Sequence, residues 1–210
     1  PKEEPTGAYV VYVRIGCVRL VVATAQRSEI KTVADLIGPP DPAADKADAA
    51  VPAAQAGAVA LRARVWGRSL PDDTPVLTVE VLGHLFIFDA GRGAAAAGEA
   101  VLREAPYKEA WWLISHFHPD HTAGLGSNPL LRQAGFSLRI GGPKEPGSSL
   151  ANELREAVKK SYAADPRPVK AALKLHELLE DSYEIAPNVR LTPFYANHPG
   201  TTLGFVLDAA

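Results

Sequence analysis

The chain has 210 residues, 47% of them hydrophobic and 22% charged, which is enough for one large globular domain, or one domain with a small extension, around a sizeable core. The formal net charge of −2 supplies no electrostatic reason for a membrane or nucleic-acid surface, though a local patch for nucleic acid stays open. The lone Cys17 excludes an intrachain disulfide, and no run is apolar enough for a transmembrane helix or a signal peptide, which points to a cytoplasmic protein.

Tyr9 to Ala25 reads as two strands hinged near Gly16, with Val11, Val13 and Ile15 alternating, then Val18, Leu20 and Val22. Cys17 sits in this apolar run as a small buried hydrophobe. Ser28 can cap a short helix that runs to Ile37 and stops at Gly38-Pro39-Pro40. Residues 39–58 are rich in alanine, proline and aspartate with almost nothing to bury, so they read as a linker between a small segment at 1–38 and a domain at 59–210.

From Val59, "VALRARVW" alternates as a strand, and "VLTVEVLGHLFIFDAG" reads as a hairpin with its turn near Gly83-His84 and its second strand ending at Asp89. A short helix is expected over Glu99 to Glu104. "AWWLIS" is a continuous apolar run of strand length ending on His116. "LANELREAVKKSY" puts Leu150, Leu154, Ala157, Val158 and Ser161 on one helical face. "VKAALKLHELLE" suits a helix or a strand. "NVRLTPFYANH" alternates and ends on His198, and "TTLGFVLD" is a closing strand. Asp89, His116 and His198 thus fall at strand ends, where layered α/β folds carry their chemistry on rigid supports.

"SHFHPDHTAG", residues 115–124, gathers His116, His118, Asp120 and His121. Pro119 pushes His118 toward extended geometry, and on an extended chain residues two apart point to one side. His116 and His118 can therefore bind one cation together. Asp120 and His121 follow in a tight turn and can face a second cation or a water. Gly124 and Gly126 let the chain turn sharply. Imidazole and carboxylate together suit zinc, with iron or manganese also accommodated. A helical His-Glu-x-x-His site is excluded by the absence of that pattern and by Pro119. The plainer alternative is a hydrogen-bonded surface turn.

"HFHPDH" resembles the His-x-His-x-Asp-His signature of the metallo-β-lactamase fold superfamily. "FIFDAGRG" is similar to the strand ending in Asp-x-Gly that precedes it there, and "NHPGTTLGFVLD" to the later strand-turn-strand that carries a further ligand. "RVWGRS" resembles the opening of the branch of ribonuclease Z and class II cyclic-nucleotide phosphodiesterases. The resemblance covers Val59 to the C-terminus. It implies an α/β fold, an αββα sandwich. It implies His116, His118 and His198 as ligands of one cation, and Asp120 and His121 as ligands of a second. Asp89 would brace the signature loop from behind, against the alternative of a plain turn carboxylate. Arg92 departs from the usual small residue and reads as a solvated arginine, against the alternative of a phosphate-facing cation. His84 and His176 read as surface or turn histidines, and Trp111 and Trp112 as packing.

The resemblance also implies a bridging aspartate and a last histidine beyond Ala210, and Asp208 falls too early for that bridge. With Pro1 at the start and no methionine, the domain is expected to be incomplete at its C-terminal end. The implied function is a metal-dependent hydrolase that uses a zinc-bound hydroxide, formed at neutral pH by one or two zinc ions, with Asp120 as the catalytic carboxylate. The substrate is expected to be a small molecule or phosphoester, and a homo-oligomer is compatible with the sequence. The alternative is a non-catalytic metal-binding or interaction module with an incomplete dinuclear site. A diiron redox role is disfavoured, because relatives of that kind carry glutamate where this chain has His118.

Overall fold

A computed structural model describes residues 9–15 and 18–24 by their backbone and residues 62–67, 76–104, 107–161 and 166–209 in full. Two antiparallel strands open it, β1 (Tyr9–Ile15) and β2 (Val18–Thr24), with Tyr9 opposite Thr24 and Ile15 opposite Val18. The helix expected at 28–37 and the linker at 39–58 lie outside the described residues.

Six further strands form one sheet in sequence order: β3 (Arg62–Trp66), β4 (Val76–Val81), β5 (His84–Phe88), β6 (Glu109–Leu113), β7 (Ser137–Pro143) and β8 (Ala172–Leu178). The strands β3 to β5 are antiparallel, and β5 to β8 run parallel. The remaining strands, β9 (Tyr183–Ala186), β10 (Val189–Tyr195) and β11 (Leu203–Ala209), join the first two in a second sheet of order β2-β1-β11-β10-β9. There β1 pairs parallel with β11, Val11 opposite Phe205. Part of the segment expected at 1–38 therefore shares a sheet with the C-terminal strands.

Helices α1 (Ala94–Glu104), α2 (Pro119–Thr122) and α3 (Leu150–Lys160) lie in the connections between parallel strands. Right-handed crossovers between parallel strands added in one direction put every connection on the same face. The burial pattern agrees. Leu85, Ile87, Trp112, Leu138 and Ile140 pack with Ala94, Ala97, Leu150 and Leu154 of the helices. The alternate residues Phe86, Phe88, Trp111 and Leu113 pack against Leu191, Leu203, Phe205 and Leu207 of the second sheet. Each large apolar side chain so buried contributes about 1.5–3 kcal/mol. The layers are helix, sheet, sheet, and the expected α/β sandwich of two facing sheets is found. Among the described residues, helices cover one outer face.

Several elements differ from the sequence reading. The helix α1 begins at Ala94, earlier than Glu99, because its alanine run has the highest helix propensity. The ambiguous "VKAALKLHELLE" is strand β8, recruited as the parallel neighbour of β7. β7 and β9 carried too short an apolar alternation to be singled out. Pro119 starts a helical turn, because proline at the first helical position has a suitable φ and no N–H to satisfy. No helix among the described residues is long and apolar enough to cross a membrane.

Candidate metal centre

The motif residues collect at the C-terminal ends of the parallel strands, the edge where open α/β sheets bind ligands. Asp89 follows β5 directly, while His116 and His118 lie beyond Leu113, in extended chain after β6. His198 lies in the β10–β11 connection, past the strand end at Tyr195. None of these polar side chains occupies a strand position; they stand in the loops that the strands hold. Leu203 N donates to Ser115 O at 2.9 Å and ties the two sheets together at this edge.

His118 has φ −63° and ψ 147°, the extended geometry that a following proline imposes. The rings of His116 and His118 have centroids 4.6 Å apart, and His198 is 4.7 Å from the first and 4.9 Å from the second. Their ligand nitrogens lie within 4.8 Å of one another. His198 Nε2 and His118 Nδ1 are 3.1 Å apart. Two nitrogens on one tetrahedral zinc, each about 2.0–2.1 Å from it, stand about 3.3 Å apart. The His118–His198 pair thus already stands at that spacing, and the set as a whole is wider and of the right donor type. His116 is buried, and its Nε2 has no hydrogen-bond partner.

Asp89 is buried and backs this group. It accepts from Ser115 N at 2.7 Å and from Ser115 Oγ at 2.9 Å, and its Oδ2 is 2.7 Å from His121 Nδ1. Its φ of 57° is left-handed, a conformation aspartate tolerates better than most residues at a small cost in strain. Its carbonyl accepts from Trp112 Nε1 at 2.9 Å. Trp112 thus packs the core and also holds the loop. Asp89 is a structured brace rather than a plain turn carboxylate.

His121 is fully buried, with Nδ1 on Asp89 and Nε2 3.4 Å from Asp120 Oδ2. Asp120 is partly exposed. Burial opposes the charged form of His121, but the charge and hydrogen bond of Asp89, with Asp120, outweigh it and raise its pKa. Burial drives the His116 pKa down to about 2, helped by the neighbouring His121, His118 and His198. A neutral imidazole is the form that can ligate a cation. His198 is likewise lowered, first by burial and then by His118 and His121.

The glycine at 124 has φ −92°, open to any residue, so it is not there for a sharp turn. A Cβ at that position would collide with the carbonyl oxygen of Gly91, and this close approach docks the motif loop on the β5–α1 turn. Gly124 N donates to Ala90 O, and Ala90 N donates to His121 O, both at 2.7 Å. Two further contacts escaped the sequence reading. Asn128 Nδ2 donates to Ala94 O, and Ser161 Oγ accepts from Gly126 N, fixing the chain after the motif to α1 and α3. Polar residues after a motif give no sequence signal of burial. His84 opens β5, and His176 lies in β8 beside Trp111, its ring 4.8 Å away, both apart from the cluster.

No protein-family model matches the sequence, and no curated protein matches it. Solved structures do resemble it. One is described as a diphosphatase from the PhnP family: 17% identity, TM-score 0.45, over 64% of this chain and 48% of that one. The metallo-β-lactamase fold protein YhfI from Bacillus subtilis shows 16% identity and a TM-score of 0.47, over 70% of this chain and 58% of that one. The short form of human tRNase Z shows 18% identity and a TM-score of 0.43, over 70% of this chain and 64% of that one. The chain spans about half to just under two thirds of the length of these structures.

Proposed function

We propose that the chain carries the metal-binding part of a hydrolase that cleaves a phosphodiester or related ester beside a cation held by His116, His118 and His198. One observation carries this reading. The ligand nitrogens of these histidines converge within 4.8 Å, and the buried Nε2 of His116 has no partner on the protein. A buried polar atom left unpaired costs about 1–3 kcal/mol, which a bound cation would offset. Three imidazoles suit zinc, and iron or manganese accept the same donors.

When bound, the cation supplies Lewis acidity, polarising a substrate oxygen and acidifying a water. The rest falls to the chain's own side chains. His116 aims a neutral nitrogen from the buried wall. His118 and His198 close the outer side. Asp120, partly exposed beside His121, is placed to orient a water and take its proton. Asp120 and His121 Nε2 would also serve a second cation. The preference for phosphoesters rests on the "RVWGRS" resemblance and is an argument from analogy.

The test is metal content per chain by mass spectrometry on protein purified without chelator, together with hydrolysis of bis(p-nitrophenyl) phosphate. The parent is expected to hold at least one cation and to turn over, and a His116→Ala, His118→Ala double variant to do neither. Full hydrolysis by the double variant would falsify the reading. A second reading, a non-catalytic metal-binding or interaction module, is favoured by one observation. Among the described residues, the one group of three or more candidate ligands is His116, His118 and His198. A bound cation without turnover would select it.

A further inference from the structure

Ser115 immediately precedes the motif and is fully buried. Its hydroxyl oxygen lies 2.9 Å from Asp89 Oδ2, 2.9 Å from His116 Nδ1 and 3.3 Å from His121 Nδ1. A hydroxyl has one proton to donate and two lone pairs with which to accept. A carboxylate has only lone pairs, so the contact with Asp89 is a hydrogen bond only if Ser115 donates. The serine proton is then committed. Its contact with His116 Nδ1 is favourable only if that nitrogen carries the hydrogen. In the neutral ring the lone pair must then sit on Nε2, the buried nitrogen that no protein group partners.

We infer that Ser115 is a positioning residue: the hydrogen-bond relay from Asp89 through Ser115 holds His116 in its Nδ1–H tautomer and so presents the bare Nε2 to the cation. The opposite tautomer fails twice. It sets acceptor against acceptor at the 2.9 Å contact, and it leaves a buried N–H with nothing to receive it. The backbone of the serine is tethered on both sides of the relay. Its N–H is held by Asp89 Oδ1 at 2.7 Å, and its carbonyl accepts from Leu203 N at 2.9 Å. The same serine therefore couples the ligand's tautomer to the joint between the two sheets. The role toward a cation rests on the metal-site reading above, whereas the tautomer does not need a metal.

The experiment is a long-range 1H–15N correlation of the histidine rings in 15N-labelled, chelator-treated protein, with His116 assigned by the signals lost in His116→Gln. The parent is expected to show His116 as a single Nδ1–H tautomer. In Ser115→Ala the Nε2–H pattern should appear and cation affinity, read by competition with a chelator, should fall about 10–100-fold. Ser115→Thr, which keeps the hydroxyl, should restore both. An Nε2–H ring in the parent overturns the inference without any variant being made. So does an unchanged His116 pattern in Ser115→Ala. A parent with the Nδ1–H ring that binds no cation supports the tautomer and overturns the metal reading, so the two failures are separable.

Discussion

His116 and His121 are held from behind, whereas His118 and His198 are held chiefly by each other. The inner pair is buried and hydrogen-bonded to Ser115 and Asp89, in a loop stitched to β5, β6 and β11. The outer pair is exposed or partly so, its rings meeting at 3.1 Å. A side-chain tether on that side is Thr201 Oγ1 donating to Glu145 Oε2 at 2.9 Å, three residues past His198. One wall is thus held by buried hydrogen bonds and the other by contacts nearer the surface. A site built this way keeps its specificity for donor geometry in the core and its adaptability at the rim.

The largest effect that would break this contrast is on the brace. Asp89→Ala should cost roughly 3–5 kcal/mol of folding stability by urea denaturation, because it strands the buried His121 and Ser115 donors. An unchanged midpoint would mean the inner wall is not braced at all. Next is the rim. His118→Ala should leave folding stability within about 0.5 kcal/mol. It should lower cation affinity by more than about a hundredfold, beyond what losing a supporting residue costs. Equal losses of stability for the two substitutions would erase the distinction between walls.

Gly124→Ala probes how the inner wall is docked. The new methyl would press on Gly91 O, and a loss of about 1–3 kcal/mol on thermal unfolding is expected. The smallest effect is predicted at the outer tether. Glu145→Ala removes one partly buried hydrogen bond, worth about 1 kcal/mol, and should weaken cation binding about fivefold with the inner wall intact. A larger loss than that of His118→Ala would place the rim's anchor at Glu145 instead of at the histidines.

His116 and His118 were legible as a pair because their spacing alone constrains them. His116 and His118, two apart before a proline, had to share a side, and the structure puts their rings 4.6 Å apart. The strands that precede them were legible as apolar runs of strand length, and the structure turns Phe86 and Phe88 to one layer and Leu85 and Ile87 to the other. The strand β8 was not, because its leucines 173 and 175 are 43% and 40% exposed at a sheet edge and so obey no burial rule. The partners of Ser115, Asn128 and Ser161 were not either. What makes these residues matter is a partner 26, 34 or 35 residues away, and no local pattern encodes such a partner.

The sequence by itself determined that His116 and His118 point to one side, through the period of the extended chain and the restrictions of proline, which are local. The layers followed from the motif's resemblance to a known fold, and the alternate burial along β5 and β6 is seen only in the structure. Only the tertiary structure decided that His198 arrives beside His118, that β1 lies against β11, and that Asp89 reaches Ser115 and His121. These depend on chain segments brought together from far apart, and the physical reason is shared. A buried carboxylate, hydroxyl or imidazole is tolerable only where another segment completes its hydrogen bonds, so its meaning exists only once that segment has been placed.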